Sequence, residues 1–231
     1  MREKYIENTK EGFSGARLEG IDGVELDVQL SKDGRIIVFH DYDSLRLLGI
    51  NRKIYDLSYE EISKMKIEGS NETVPTLEEV LSVAGNLLVF IELKTIDDNF
   101  SEVNQGLEEK VVKLLRVNRH KNFYVISFNP RSIAILKSLD PKIHRGLLID
   151  NDTIHIPKNI NTQYLQSIGA EYLLPSFELK DETWVKDARD AGFGIIFWNV
   201  FDFEQAEEAR DFGAMGVITD SPLAIRKRMR Q

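Results

Sequence analysis

Two pairs of charged residues stand inside runs that are otherwise apolar. Glu25 and Asp27 lie two residues apart in one run, and Glu92 and Lys94 repeat this spacing in another. A strand sends alternate side chains to opposite faces, so both members of a pair share one face. Strands of a parallel sheet are buried on both sides, and these charges are therefore predicted to face the interior.

Buried carboxylates need a compensating charge. An ionised carboxylate in the interior costs several kcal/mol unless it is paired or bound to a metal. Lys94 can neutralise one of the three, and a hard divalent cation would offset the others; Mg²⁺ and Ca²⁺ both fit oxygen ligands. A Glu–Lys network that fixes strand register explains either pair alone. Both pairs near the C-terminal ends of neighbouring strands favour a metal site formed by Glu25, Asp27 and Glu92.

A histidine is expected beside these carboxylates. The run Ile36–His40 follows Val24–Leu30 after five residues, which contain the hairpin turn signal Asp-Gly, so the two strands should be antiparallel neighbours. Counting back across the turn places His40 opposite Glu25, where an imidazole could transfer protons. No role is assigned to the other histidines, His120, His144 and His155.

The elements that position these residues alternate along the chain. Short β-branched runs alternate with amphipathic stretches, as in βα units around a parallel sheet. The parallel strands are predicted at Val24–Leu30, Leu87–Lys94, Phe123–Phe128, Gly146–Ile149, Tyr172–Phe177, Gly194–Val200 and Gly216–Thr219. Helices are predicted at Glu102–Val117, Pro130–Ser138, Gln163–Ile168, Lys180–Ala191, Phe203–Phe212 and after Ser221-Pro222.

The parallel strands number one fewer than an eight-stranded barrel requires. Asn8 and Glu11 have the spacing of a capping box, which predicts a helix that starts near Asn8. Such a helix would follow a first barrel strand, and no apolar run precedes it. The expected fold is therefore a TIM (β/α)8-type barrel whose first strand lies upstream of Met1. An open or rearranged sheet is the alternative.

Length and composition limit the classes of protein to which this chain can belong. A length of 231 residues suits one barrel domain over residues 1–231. The net charge of −8 argues against a nucleic-acid partner, and the absence of cysteine excludes disulfides and cysteine nucleophiles. No apolar run approaches the roughly 20 residues of a membrane span, and the N-terminus does not look like a signal peptide. We expect a cytoplasmic protein without stable membrane insertion; self-association is left open.

Short strings in this sequence occur in the order found in one enzyme family. Together they resemble the glycerophosphodiester phosphodiesterases over nearly the whole chain. The strings are Glu7-Asn8-Thr9, Asp22–Val28, Ser31–Gly34, His40-Asp41, Val74–Leu81, Ile91–Lys94, Ser127-Phe128, Phe197–Val200 and Gly216–Pro222.

The resemblance implies a fold, a reaction and roles for particular residues. The family is a TIM barrel of lipid and glycerol metabolism that hydrolyses glycerophosphodiesters to glycerol 3-phosphate and an alcohol, using a divalent cation. By resemblance Glu25, Asp27 and Glu92 are the metal ligands. His40 matches one of the family's two acid/base histidines, and Lys94 matches a lysine that binds phosphate.

Further matches concern substrate binding. Glu7 matches an acid at the edge of the family's site, although a helix-start residue favoured by the dipole is the alternative. Phe128 and Trp198 match positions that line the substrate pocket, and core packing is the alternative for both. Residues 41–73 correspond to an inserted region that caps the mouth of the family's barrel.

One family element is absent from this sequence. The family opens with a strand that ends in His-Arg and supplies a second histidine and an arginine for the phosphate. Either the native protein extends upstream of Met1, or its chemistry is impaired. Two rival functions stay open: a related barrel phosphodiesterase that acts on lysophospholipids, and a non-catalytic barrel that binds phosphodiesters.

Overall fold

The computed structural model describes residues 4–118, 122–153 and 160–229. These residues form two compact units that divide between Phe123 and Tyr124, and each unit is described by itself. The single domain over residues 1–231 stays a prediction. In the described residues, no helix combines the length and apolar character that a membrane span requires.

The first unit contains a three-stranded sheet in the order β2-β1-β3. The strands are β1 (Gly23–Leu30), β2 (Ile36–Val38) and β3 (Leu88–Leu93). The helices are α1 (Lys10–Leu18), α2 (Leu45–Leu48), α3 (Tyr59–Ile62), α4 (Leu77–Ala84) and α5 (Leu107–Val117), and a 3₁₀ turn covers Ile54–Asp56. β3 runs parallel to β1, whereas β2 runs antiparallel to it.

The predicted hairpin is confirmed. Leu30 pairs with Ile36 across the turn, and the Gly34 N–H donates to the Ser31 carbonyl at 2.8 Å. Gly34 has a φ of +78°, a left-handed conformation that glycine adopts without steric cost. The Asp-Gly signal was therefore read correctly.

The start of α1 differs from the prediction by one residue. Thr9, not Asn8, is the N-cap, and its hydroxyl accepts a hydrogen bond from the Gly12 N–H. Asn8 has a φ of +54°, and its side chain donates to Asp27 instead. The Thr9 hydroxyl caps the helix because it reaches a free N–H of the first turn.

The predicted cap region, residues 41–73, folds against β2 through its own hydrophobic cluster. Short helices carry apolar side chains inward, and Gly49 ends α2 with a φ of +70°. This insert cluster has the buried members Ile37, Phe39, Leu47, Ile54, Leu57, Ile62, Ile67 and Val74.

The second unit continues the alternation of strands and helices. Its strands, in the order β4-β5-β6-β7-β8, are β4 (Phe123–Ser127), β5 (His144–Ile149), β6 (Tyr172–Pro175), β7 (Gly194–Phe197) and β8 (Gly216–Val217). Its helices are α6 (Pro130–Leu139), α7 (Thr162–Ile168), α8 (Thr183–Asp190), α9 (Phe203–Phe212) and α10 (Pro222–Met229).

The predicted elements are present with shifted ends. Every predicted strand is confirmed, and the pairs from β4 to β8 are parallel. Of the helices, α9 has the predicted bounds, whereas α5 begins at Leu107 rather than Glu102. Residues 102–106 instead form a loop, in which the buried Asn104 donates to the Lys94 carbonyl at 2.6 Å. Helix α4 was missed by the pattern analysis.

The insert cluster can be tested by deleting buried methyl groups. Leu57 is 0% exposed, and Leu57→Ala is expected to lower the free energy of unfolding by about 2–5 kcal/mol because a cavity remains. Leu45 is 53% exposed, and Leu45→Ala should cost less than about 0.5 kcal/mol. Urea denaturation measures both values. Equal losses in the two variants would contradict a packed insert.

Candidate active site

The register of two parallel strands brings the acidic residues together. Asp27 of β1 is the direct neighbour of Glu92 of β3, and Glu25 stands two residues earlier on the same face as Asp27. Adjacent strands lie about 4.8 Å apart, so side chains on one face at this register must meet. One oxygen from each of the three carboxylates lies within 4.8 Å of the others.

Lys94 lies among these carboxylates. Its Nζ is 3.3 Å from Glu92 Oε1 and 3.8 Å from Asp27 Oδ1, and 5.0 Å from the ring centroid of Tyr42. Asp27 is 4% exposed, and Glu92 and Lys94 are each 9% exposed. The predicted burial is thus observed for Asp27, Glu92 and Lys94, whereas Glu25 is only half-buried.

Burial and mutual charge shift the proton affinities of this cluster. Burial raises the pKa of Glu92; the Asp27 charge adds to this rise, and Lys94 opposes it. Burial alone would lower the pKa of Lys94, but the Glu92 and Asp27 carboxylates outweigh it and raise the pKa above its ordinary value. The lysine therefore stays charged, whereas burial makes the ionised form of Glu92 costly.

The donor set fits a hard divalent cation. Three carboxylates offer anionic oxygen atoms at one point, and oxygen ligands of this kind are the ones that Mg²⁺ and Ca²⁺ prefer. Asn8 Nδ2 donates to Asp27 Oδ2 at 2.9 Å, which orients this carboxylate as hydrogen bonds to metal ligands commonly do. Glu25, Asp27 and Glu92 could therefore hold a metal ion.

The structure places His40 differently from the prediction. The turn of five residues makes Val38 pair with Val28, a register in which position 40 faces Leu26 rather than Glu25. The residue pairing ends at Val38, although the Phe39 N–H still donates to the Asp27 carbonyl at 3.0 Å. The Gln29 side chain donates to the carbonyls of residues 39 and 41. The stated register was wrong by one residue.

His40 nevertheless acts electrostatically on the acidic cluster. A positive charge on His40 lowers the pKa of Glu92. Its side chain is 46% exposed, and Nδ1 donates to Asp41 Oδ1 at 2.8 Å, since a carboxylate can only accept. Nε2 is then the ring nitrogen that can exchange a proton with a substrate.

Arg46 and Asp41 join Glu7 and His40 in a network that sequence reasoning missed. Arg46 Nε and Nη2 donate to the two oxygens of Asp41 at 2.7 and 2.8 Å, and Nη2 also donates to Glu7 Oε1. Glu7, His40 and Asp41 could in geometry hold a second metal, but the Arg46 guanidinium already lies among them. The signal for Asp41 was its place beside His40, whereas nothing local marked Arg46.

The predicted substrate-binding aromatics belong to the second unit. Phe128 and Trp198 follow the ends of β4 and β7, both are half-buried, and their ring centroids are 5.4 Å apart in an edge-to-face arrangement. The Trp198 indole N–H donates to the Leu174 carbonyl at 2.8 Å. The indole N–H is therefore already bound within the protein, and substrate contact stays a prediction for both residues.

Comparison with known proteins defines the class of protein. The structure of an Oleispira antarctica phosphodiesterase in complex with the product sn-glycerol-3-phosphate matches with a TM-score of 0.81 and 25% identity, over 97% of this chain and 92% of that one. A glycerophosphodiester phosphodiesterase of Bacillus altitudinis is 31% identical over 98% of this chain and 95% of its own length. A human lysophospholipase D is 26% identical over 96% of this chain and 81% of that protein.

These matches confirm a (β/α)8-type fold and a phosphodiesterase enzyme class. The model of the glycerophosphoryl diester phosphodiesterase family matches residues 1–224. The chain belongs to that family, as the ordered strings of the sequence predicted.

Cation binding should depend on pH in a direction that Glu92 sets. Mg²⁺ or Ca²⁺ is expected to raise the Tm, and to raise it more at about pH 7.5 than at about pH 5, because protons compete for a carboxylate whose pKa is raised. Without the cation, the pH dependence of stability should run in the opposite direction. Stability should fall as the pH rises from the ordinary carboxyl range through the raised pKa, because the folded state must ionise a buried acid.

Calorimetric scans at both pH values, with and without the cation, measure these effects. Glu109→Gln, an exposed change on α5, serves as the control and should keep the wild-type pattern. A Tm gain that is the same at both pH values would count against cation binding by Glu92.

Two substitutions should move cation affinity in opposite directions. Glu92→Gln removes a ligand charge and is expected to weaken binding at least about tenfold, whereas Lys94→Met removes a competing positive charge and should tighten binding. Titration calorimetry measures both affinities. Lys64→Met, at a side chain 70% exposed, is the control for loss of a surface lysine. Weaker binding in Lys94→Met would show that Lys94 does not share the carboxylates with the cation.

Proposed function

We propose that this chain hydrolyses glycerophosphodiesters to glycerol 3-phosphate and an alcohol, with Mg²⁺ or Ca²⁺ held by Glu25, Asp27 and Glu92. The observation that carries the proposal is the convergence of these three carboxylates beside Lys94 in a member of the glycerophosphoryl diester phosphodiesterase family. The product bound to the Oleispira enzyme, sn-glycerol-3-phosphate, supports the glycerol half of the substrate.

Lys94 binds the phosphodiester as a second positive charge. When bound, the cation supplies Lewis-acid stabilisation of the charge that develops on the phosphoryl oxygens. The raised pKa of Lys94 keeps its ammonium protonated at neutral pH, so it attracts a non-bridging phosphate oxygen at all stages of the reaction. The burial of Lys94 strengthens this attraction because little water screens it.

His40 moves a proton at Nε2. With Nδ1–H bound to Asp41, the neutral imidazole has a lone pair on Nε2 and acts as a base, while the protonated ring donates from the same atom. Both roles are open: His40 either deprotonates the nucleophile or protonates the leaving alkoxide.

The reaction exchanges one bond at phosphorus for another. The bond to the oxygen of the departing alcohol breaks, and a bond to the oxygen of the nucleophile forms. The nucleophile is water, or the glycerol 2-hydroxyl through a cyclic intermediate that water then opens. Either route retains the phosphoryl group on glycerol. Glu7, Phe128 and Trp198 are assigned to substrate binding by resemblance, and their contacts are part of the proposal.

A lysophospholipid is the second candidate substrate. The observation that favours it is the likeness to a human lysophospholipase D. A lysophospholipid keeps the same glycerophosphodiester centre and adds an acyl chain, so the carboxylates, Lys94 and His40 would serve both substrates. The two candidates differ in the apolar surface that the acyl chain needs.

Product analysis with and without a chelator tests the proposal. The chain is expected to release glycerol 3-phosphate from glycerophosphocholine, to lose this activity in EDTA and to regain it with Mg²⁺ or Ca²⁺. Undiminished turnover in EDTA would refute the role of the cation. Binding of glycerophosphocholine without any product would favour the non-catalytic alternative. A higher kcat/KM for lysophosphatidylcholine would assign the chain to the second candidate.

A further inference from the structure

Arg46 connects the inserted region to the acid/base histidine. Its guanidinium donates to both oxygens of Asp41, and the same Asp41 Oδ1 accepts from His40 Nδ1. The side chain of Asp41 is 17% exposed and that of Glu7 11%. Two largely shielded carboxylates thus share one arginine. Arg46 does not contact His40 directly; Asp41 lies between them and is hydrogen-bonded to both.

The insert cluster fixes the backbone of Arg46. Arg46 belongs to α2, whose next residue, Leu47, is 8% exposed in the insert cluster. Before the helix, the fully buried Ser44 donates from its hydroxyl to the carbonyls of Ile50 and Arg52 at 2.8 and 2.9 Å. The arginine therefore extends from a packed helix rather than from a free loop, which lets it hold its partners in place.

The positive charge of Arg46 favours the ionised form of Asp41. Burial alone would raise the pKa of Asp41, but the hydrogen bonds from Arg46 and His40 outweigh it and hold the pKa below its ordinary value. An ionised Asp41 accepts only, so it selects the His40 tautomer that has its proton on Nδ1. Without Arg46, Asp41 would lie beside Glu7 with less compensation, and their repulsion would displace it.

A second branch of the same network leads to the metal ligands. Arg46 holds Glu7, and the next residue, Asn8, donates to Asp27. Asn8 has a left-handed backbone, a conformation that asparagine tolerates better than most residues. The segment that presents this amide to Asp27 is thus anchored at Glu7 by the same guanidinium.

We propose that Arg46 is a positioning residue for the proposed reaction, acting through Asp41 on the tautomer and orientation of His40. The inference rests on the proposed function for its kinetic consequence only. Its structural content, that Arg46 fixes the His40 ring, can be measured on a chain with no activity at all.

Nitrogen NMR of ¹⁵N-histidine-labelled protein reads the tautomer directly, with His40→Gln to assign the signal. His40 is expected to show the Nδ1–H tautomer in the wild type and in Arg52→Gln, and a mixture of tautomers in Arg46→Gln. Arg52 is the matched control: it lies in the same insert, is 46% exposed against 49% for Arg46, and pairs with Glu61. A wild-type His40 signal in Arg46→Gln overturns the proposal.

Kinetics on glycerophosphocholine with saturating Mg²⁺ give the second readout. Arg46→Gln is expected to lower kcat by roughly 10- to 100-fold, as loss of an orienting partner commonly does, with KM changed less than about threefold. Arg46→Lys should recover part of the loss, and Arg52→Gln should match the wild type. A rise in KM alone would make Arg46 a phosphate ligand and overturn the positioning role, as would an unchanged kcat.

The NMR and kinetic experiments separate the proposed function of the chain from the proposed role of Arg46. A wild-type chain that releases no glycerol 3-phosphate contradicts the proposed function, and the tautomer of His40 in Arg46→Gln then still decides the role of Arg46. Thermal unfolding of Arg46→Gln close to the wild-type Tm excludes a general loss of folding. The more conservative Arg46→Lys provides a second folded variant.

Discussion

The first unit is organised around a cluster of acidic side chains on two neighbouring strands. Glu25, Asp27 and Glu92 converge there, the Lys94 ammonium lies beside Asp27 and Glu92, and Asp27, Glu92 and Lys94 lose most of their hydration. Such an arrangement is costly for folding alone. A bound cation would offset this cost, so the residues that oppose folding are the same ones that could give the site its chemistry.

Strand periodicity made the acidic cluster predictable from sequence. Glu25 and Asp27 stand two residues apart in one apolar run, and Glu92 and Lys94 stand two residues apart in another. Residues two apart in a strand lie on the same face. The pairing of Asp27 with Glu92 needs only that β1 and β3 be parallel neighbours in register. A one-residue slip would send one of the two to the opposite face, so burial of Leu26 and Ile91, each 0% exposed, enforces the register that the acids require.

The same reasoning failed at two residues near the cluster, for different reasons. His40 was misplaced by one residue because the count across the turn was wrong: Leu30 pairs with Ile36, which puts position 40 opposite Leu26. Arg46 was missed because one partner, Glu7, lies 39 residues away, and the other, Asp41, lies five residues before it, which is not a spacing at which side chains of one helix or strand meet. Helix α4 is a different case: Thr76 and Glu79 form a full capping box, a local signal that was present and overlooked.

Strand β3 shows how one element serves both stability and chemistry. Val89, Ile91 and Leu93 are at most 1% exposed, and each fully buried aliphatic side chain contributes roughly 1.5–3 kcal/mol. Glu92, between two of them, carries a pKa raised by burial and so opposes folding in its ionised form. Because alternation separates the two faces, the apolar side chains can offset that cost without contacting the ligands. The strand can therefore hold an ionised acid ready for a cation without becoming unstable itself.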